Sequence, residues 1–141
     1  MSGGTTRGTP AAPFQYAVVR AVPRVERGEC VNVGIVLYRH ATAAVDAVVV
    51  AGIHLDEARL RALDPEVDLE SVRAALDGIR AVCDQGRLPV GDTDQPTWTA
   101  GERFGWLTAP RSTVVQTGPV HSGLTEDPVR TLDRLLTRLV R

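Results

Sequence analysis

The sequence predicts an α+β domain, with a single small antiparallel sheet of about four strands and three to four helices packed mainly on one face. The first observation behind this prediction is that three strand-like segments with alternating apolar residues follow one another early in the chain. The second is that amphipathic helical patterns come later, the clearest of them at the end. The third is that the strand-like segments are joined by short connections, which favour antiparallel hairpins because a parallel pair needs a crossover of about a dozen residues.

The predicted strands begin where the composition changes. Residues 1–13 are mostly Gly, Thr, Ser, Pro and Ala and are expected to form a flexible tail, which leaves residues 14–141 as one globular domain. Strands are predicted over 14–22, 30–38 and 43–51, and a fourth over 112–120 is interrupted by Gly118 and Pro119. Alternate positions of the first three strands form one wholly apolar face, which is expected to be the core: Ala17, Val19, Ala21, Val31, Val33, Ile35, Leu37, Val45, Ala47 and Val49.

Helices are predicted at four places: within 55–63, from about 69 to 83, over 99–108, and after Asp127. Asp68 is expected to cap the start of the second helix and Gly86 to end it. Asp127 opens the last helix, with Pro128 at the first helical position. Residues 86–97 are rich in Gly, Asp and Pro and predict a surface loop. One shared core is expected to hold Val33, Ile35, Leu76, Leu132 and Leu136.

Composition narrows the class of protein. Of the 141 residues, 43% are hydrophobic and 23% are charged, which is typical of a globular domain with a core. No run approaches the roughly 18 apolar residues of a membrane span, and no secretory signal pattern is present, so a cytoplasmic protein is expected. The formal net charge of −1 argues against nucleic-acid binding. Cys30 and Cys83 lie in apolar patterns and are expected to be buried thiols.

Common enzyme signatures are absent from the sequence. It contains no GxxxxGK[ST], GxGxxG, GxSxG or HExxH motif. The three histidines lie in separate segments and the cysteines lack CxxC spacing, so neither a metal site nor a cofactor is predicted. Ser112 and His121 would stand about 30 Å apart on a continuous strand, which is too far for a nucleophile and its base.

Two groups of polar residues are candidates for binding. In the first, Arg20 and Asn32 lie beside Gly34 and form a notch that suits a ligand or partner, or equally a hydrogen bond to the chain's own loops. The second group joins the aromatic helix to the fourth strand and consists of Arg103, Trp106, Arg111, Gln116 and His121. Arginine that stacks on tryptophan beside a histidine suits a phosphate or carboxylate. The structural alternative is that the tryptophan seals the core and the arginine stems cover it.

Two stretches of sequence carry a resemblance to a known family. They read FQYAVVRAVPRVERGECVNVGIVLY at 14–38 and ERFGWLTAPRSTVVQTGPVHSGLTEDP at 102–128. Together they resemble a bacterial family called domain of unknown function 3037, over essentially everything after the tail. The resemblance brings no activity with it. It implies a context, because members of the family are often encoded beside a kinase that resembles the toxin HipA, and hence an accessory role.

The leading hypothesis is therefore a non-enzymatic accessory or protein-binding module, with the HipA-like kinase as the candidate partner and a homo-oligomer as an open alternative. The competing hypothesis is a small enzyme or binding protein that acts on a phosphorylated or nucleotide-like ligand through the arginine and histidine cluster. The lack of a nucleophile–base pair favours the first hypothesis.

Overall fold

A computed structural model describes residues 10–86 and 98–141, and these residues build a five-stranded antiparallel sheet. The strands are β1 (Ala12–Ala21), β2 (Val31–Arg39), β3 (Val48–Ile53), β4 (Val115–Thr117) and β5 (His121–Thr125). Their order is β3-β2-β1-β4, and β5 pairs with the first half of β1. The predicted fourth strand is thus two short strands that both pair with the same edge of β1, with Gly118 and Pro119 between them.

The helices confirm the predicted α+β class. Within the described residues they are α1 (Glu57–Leu63), α2 (Leu69–Gln85), α3 (Ala100–Leu107) and α4 (Pro128–Leu139). The first three pack on one side of the sheet, which we call the α1–α3 face. The last packs on the opposite side, the α4 face, where it lies mainly over β2 and β3.

The helix ends are capped where the sequence indicates. The Asp68 carboxylate accepts a hydrogen bond from the Ser71 backbone N–H, and the Asp127 carboxylate accepts two from the first turn of α4. Gly86 ends α2 with a φ of 71°, a left-handed conformation that glycine adopts without a Cβ clash. Both predicted N-caps and the predicted stop are confirmed.

A β-bulge in β2 divides the apolar residues between two cores. The pairing with β1 shifts by one residue between Asn32 and Gly34, so Val33 is an extra residue with no partner opposite it. The extra residue changes which side of the sheet the following side chains face. Val33 therefore packs on the α1–α3 face, whereas Ile35 packs under α4.

The prediction of one core face is wrong for this reason. Simple alternation placed Val33 and Ile35 together, and the bulge separates them. Leu76 of α2 shares the core of Val33 on the α1–α3 face. The smaller core on the α4 face consists of Phe14, Val18, Ile35, Leu37, Leu132, Leu136 and Val140.

Several boundaries differ from the prediction. β1 begins at Ala12, which is buried and pairs with Thr125, so Ala12 and Pro13 belong to the sheet and not to a tail. β3 starts at Val48, later than predicted. Residues 1–9 of the predicted tail and 87–97 of the predicted loop lie outside the described residues.

Candidate functional site

The seven candidate residues divide between the two faces of the sheet. Arg103 and Trp106 belong to α3, and Arg111 follows it and stacks on Trp106, so these three lie on the α1–α3 side. The other four lie on strands, and their strand positions and pairing partners place them on the α4 face. They are Arg20, Asn32, Gln116 and His121. The structure therefore brings Gln116 to the first predicted group and parts it from the two arginines of the second.

The side chain of Arg103 is hydrogen-bonded to the C-terminal end of α2. Its Nη1 donates hydrogen bonds to the backbone carbonyls of Val82, at 2.9 Å, and Cys83, at 2.6 Å. Carbonyls in the last turn of a helix lack partners inside the helix, and the helix dipole favours a cation there. Arg103 thus joins α3 to α2 and has a structural role.

Arg111 is occupied in the same way by the end of α3. Its Cζ lies 4.2 Å from the centroid of the Trp106 ring, so the stacking expected from the sequence is present. Its two terminal nitrogens donate to the backbone carbonyls of Trp106 and Leu107. Two of the five N–H donors of the guanidinium are therefore bonded to the end of α3.

On the α4 face, three candidates form a row across neighbouring strands. Arg20 in β1 lies opposite Asn32 in β2 and opposite Gln116 in β4. The Asn32 Nδ2 donates to the carbonyl of Leu139 at the end of α4, at 3.0 Å, and the Gln116 Nε2 donates to the carbonyl of Thr113, at 2.8 Å. The two amides are thus held by backbone on either side of the arginine.

Arg20 has no such anchor. Its Nε is buried and has no hydrogen-bond partner, and no carboxylate of the described chain forms an ion pair with it. Arg39 and Arg103 also have a buried Nε, but each donates other nitrogens to backbone carbonyls. Among the described residues, Arg20 therefore differs from both of the arginines that resemble it most.

Gly118 makes room for the head of Arg20. A Cβ built on Gly118 would stand 2.8 Å from Cζ and Nη2 of Arg20, closer than a Cβ can come. The backbone N–H of Gly118 donates to the carbonyl of Val18, which fixes the loop against β1. Any larger residue at position 118 would displace the guanidinium.

Aromatic rings occupy the other end of β1 on the same face. The ring centroids of His121 and Tyr16 are 5.2 Å apart, and Tyr16 stacks in turn with Phe14 at 6.0 Å. Sequence reasoning did not select Tyr16. The signal that identifies it is its position on β1, two strand repeats before Arg20 and therefore on the same face.

A comparison with protein families matches residues 16–140 to the family described as protein of unknown function (DUF3037). The chain belongs to the DUF3037 family. The resemblance carried by residues 14–38 and 102–128 is thereby confirmed, and the match includes all four helices and nearly the whole sheet. No curated protein and no solved structure matches the chain.

Within this DUF3037 domain, the candidates on the α4 face other than Asn32 occupy the part that α4 leaves uncovered. The helix lies mainly over β2 and β3, whereas these residues lie on β1, β4 and β5. Tyr16, Arg20 and Gln116 are partly exposed, and His121 is exposed. We call Tyr16, Arg20, Gln116 and His121 the open strip.

The chemistry available elsewhere in the described residues is limited. No three His, Cys, Asp or Glu side chains there converge as ligands for a metal ion. No helix in residues 10–86 and 98–141 has the length and apolar character to cross a bilayer. Burial raises the pKa of the Cys83 thiol to about 12, so it stays protonated at neutral pH. Cys30 is exposed, against the prediction, because it precedes β2 and lies outside the sheet.

Proposed function

We propose that this DUF3037 protein is a non-enzymatic accessory module that binds a protein partner through the open strip. The observation that carries the proposal is that α4 covers only part of its face and leaves Tyr16, Arg20 and His121 at the surface. Tyrosine and arginine are among the residues that dominate affinity at protein interfaces. A surface that combines them beside a histidine and an amide fits a contact site.

The positions of the other candidates support binding over catalysis. Action on a phosphorylated or nucleotide-like ligand was expected to use Arg103, Arg111 and His121 together. Arg103 and Arg111 hold helix ends on the α1–α3 side, whereas His121 stacks on Tyr16 on the α4 face. The arginine and histidine side chains that such an enzyme would need together therefore lie on opposite sides of the sheet.

The family resemblance points to a candidate partner, the HipA-like kinase encoded nearby. We would co-express the two proteins, purify the complex and measure its dissociation constant by calorimetry. His121→Ala and Tyr16→Ala should each weaken binding about tenfold or more if the open strip is the contact. Arg80→Ala, at an exposed position on α2, is the matched control and should bind as the wild type does.

Two results would overturn the proposal. One is a complex whose affinity is unchanged by both open-strip variants. The other is a nucleotide or phosphorylated metabolite that raises the melting temperature of the wild type, with the rise abolished by His121→Ala and no protein bound. Sedimentation of the purified chain shows whether the partner is a second copy.

A further inference from the structure

Arg20 is a cation partly withdrawn from water without the contacts that normally accompany burial. Its Nε–H is buried and donates to no acceptor, and no ion pair joins its guanidinium to a carboxylate of the described residues. Burying a charged group costs free energy unless it is paired and hydrogen-bonded. The terminal nitrogens of Arg20 are not among the buried unpaired atoms, so they are the donors that an outside group could reach.

The guanidinium of Arg20 lies close to Gly118. Asn32 and Gln116 flank it across the sheet, and each is fixed by its own bond to backbone. Gly118 lies against the guanidinium with no side chain between them. Arg20 is thus flanked in register by two amide residues that are bonded elsewhere, and its guanidinium lies against Gly118.

We propose that Arg20 is the binding site for a carboxylate of the partner protein, presented by an acidic side chain or by a chain terminus. This inference rests on the proposed function, because it names the group that the open strip recognises. The planar guanidinium matches a carboxylate with two parallel hydrogen bonds. The complex would then supply the acceptors that the free protein lacks.

The charge of the site favours a carboxylate over a phosphate. A phosphate monoester carries about −1.5 to −2 charges at neutral pH and is usually held by several donors or cations. Arg20 is the only arginine of the open strip, since Arg103 and Arg111 are engaged on the other side of the sheet. One guanidinium balances one carboxylate.

Peptide titrations test the inference on the full ¹⁵N-labelled chain. The probes are a short glutamate-rich peptide with both ends blocked, the same peptide with glutamine for glutamate, that glutamine peptide with a free C-terminus, and inorganic phosphate. The side-chain Nε–H signal of Arg20 reports binding. We expect the blocked glutamate peptide or the free C-terminus to shift it, which also tells the two sources of carboxylate apart, and the blocked glutamine peptide to leave it unchanged.

Three variants define the role of Arg20. Because Arg20→Gln removes the reporting signal, binding by the variants is followed through backbone amide shifts. Arg20→Gln should weaken binding of the shifting peptide about tenfold or more, because charge-assisted hydrogen bonds are lost. Arg134→Gln removes the same charge from an exposed position on α4 and should bind as the wild type does. Gly118→Ala keeps the charge but displaces the guanidinium, and it should also weaken binding while the melting temperature stays near that of the wild type.

The inference is overturned if phosphate shifts the Arg20 signal and no carboxylate probe does, or if no probe shifts it. It is overturned as well if Arg20→Gln and Arg134→Gln bind the peptide alike. These failures differ from failure of the proposed function. Loss of kinase binding in His121→Ala without any peptide effect at Arg20 leaves the function standing and removes only the carboxylate site.

Discussion

The two faces of the sheet differ in how completely helices cover them. Three helices cover the α1–α3 face and bury the larger core, whereas one helix covers only part of the α4 face. The arginines follow the same division: Arg103 and Arg111 are bound to helix ends on the first face, and Arg20 on the second has no partner in the described chain. The covered face thus buries most of the core, and the partly covered face is the one on which we propose that a partner binds.

The largest expected effect tests whether α4 nevertheless belongs to the folded core. Ile35 is fully buried beneath α4, and Ile35→Ala should lower the free energy of unfolding by about 2–5 kcal/mol. Chemical denaturation measures this loss. Val129→Ala, on the same helix at a position that is 63% exposed, is the control and should change the value by less than about 0.5 kcal/mol. A loss below about 1 kcal/mol for Ile35→Ala would mean that α4 is loosely attached and that the two faces differ more than the structure shows.

The next effect compares one arginine from each face. Arg103→Met removes a charged donor from two carbonyls of α2 and should cost about 1.5–3 kcal/mol of stability. Arg20→Met removes a cation that has no partner, so its stability should stay within about 0.5 kcal/mol of the wild type or rise. Denaturant midpoints of the two variants make the comparison directly. Equal losses would show that Arg20 is as structural as Arg103 and would erase the distinction between the faces.

A double-mutant cycle tests the division of the core by the bulge. Ile35 and Leu136 share the core under α4, so Ile35→Ala and Leu136→Ala should be coupled by about 0.5–3 kcal/mol. Val33 lies on the other side of the sheet, so Val33→Ala and Leu136→Ala should add to within about 0.5 kcal/mol. Coupling of Val33 to Leu136 as strong as that of Ile35 would restore the single core that simple alternation predicts.

The fold could be predicted from the sequence as far as local chemistry determines it. The Asp68 and Asp127 caps and the Gly86 stop all act within a few residues, and each is found where it was predicted. The bulge at Val33 could not be predicted, because a shift in pairing depends on the partner strand and leaves the apolar pattern of β2 unchanged. The assumption of simple alternation therefore placed Val33 in one core with Leu132 and Leu136, whereas these residues pack on opposite sides of the sheet.

The candidate site shows a similar limit. Arg20 and Asn32 were recognisable as neighbours because two adjacent strands of a hairpin carry them. Gln116 was placed with Arg103 and Arg111 because they are close in sequence, but strand pairing brings it to Arg20 instead. The engagement of Arg103 depends on carbonyls of Val82 and Cys83 in another helix, which no sequence pattern displays, whereas Arg111 bonds carbonyls only four and five residues before it.

The smallest expected effect is a loss of folding stability at acid pH, and it should arise on the α1–α3 face. The Glu102 carboxylate accepts a hydrogen bond from the Thr99 backbone N–H, and this bond holds the pKa of Glu102 below its ordinary value. A lowered pKa in the folded state adds stability above the unfolded pKa of about 4.3, and that stability is lost as the pH falls towards the folded pKa. Glu102→Gln retains an acceptor for the capping box but cannot titrate.

Unfolding of the wild type and of Glu102→Gln, measured by denaturant at a series of pH values from 7 down to the acid limit of folding, isolates this contribution. The variant should be slightly less stable than the wild type at neutral pH, and the gap should close as the pH falls through the acid range. The sign is fixed because only the wild type has a carboxylate to protonate. A gap that stays constant with pH would show that ionisation of Glu102 does not stabilise the cap of α3, and that acid does not act on this end of the α1–α3 face.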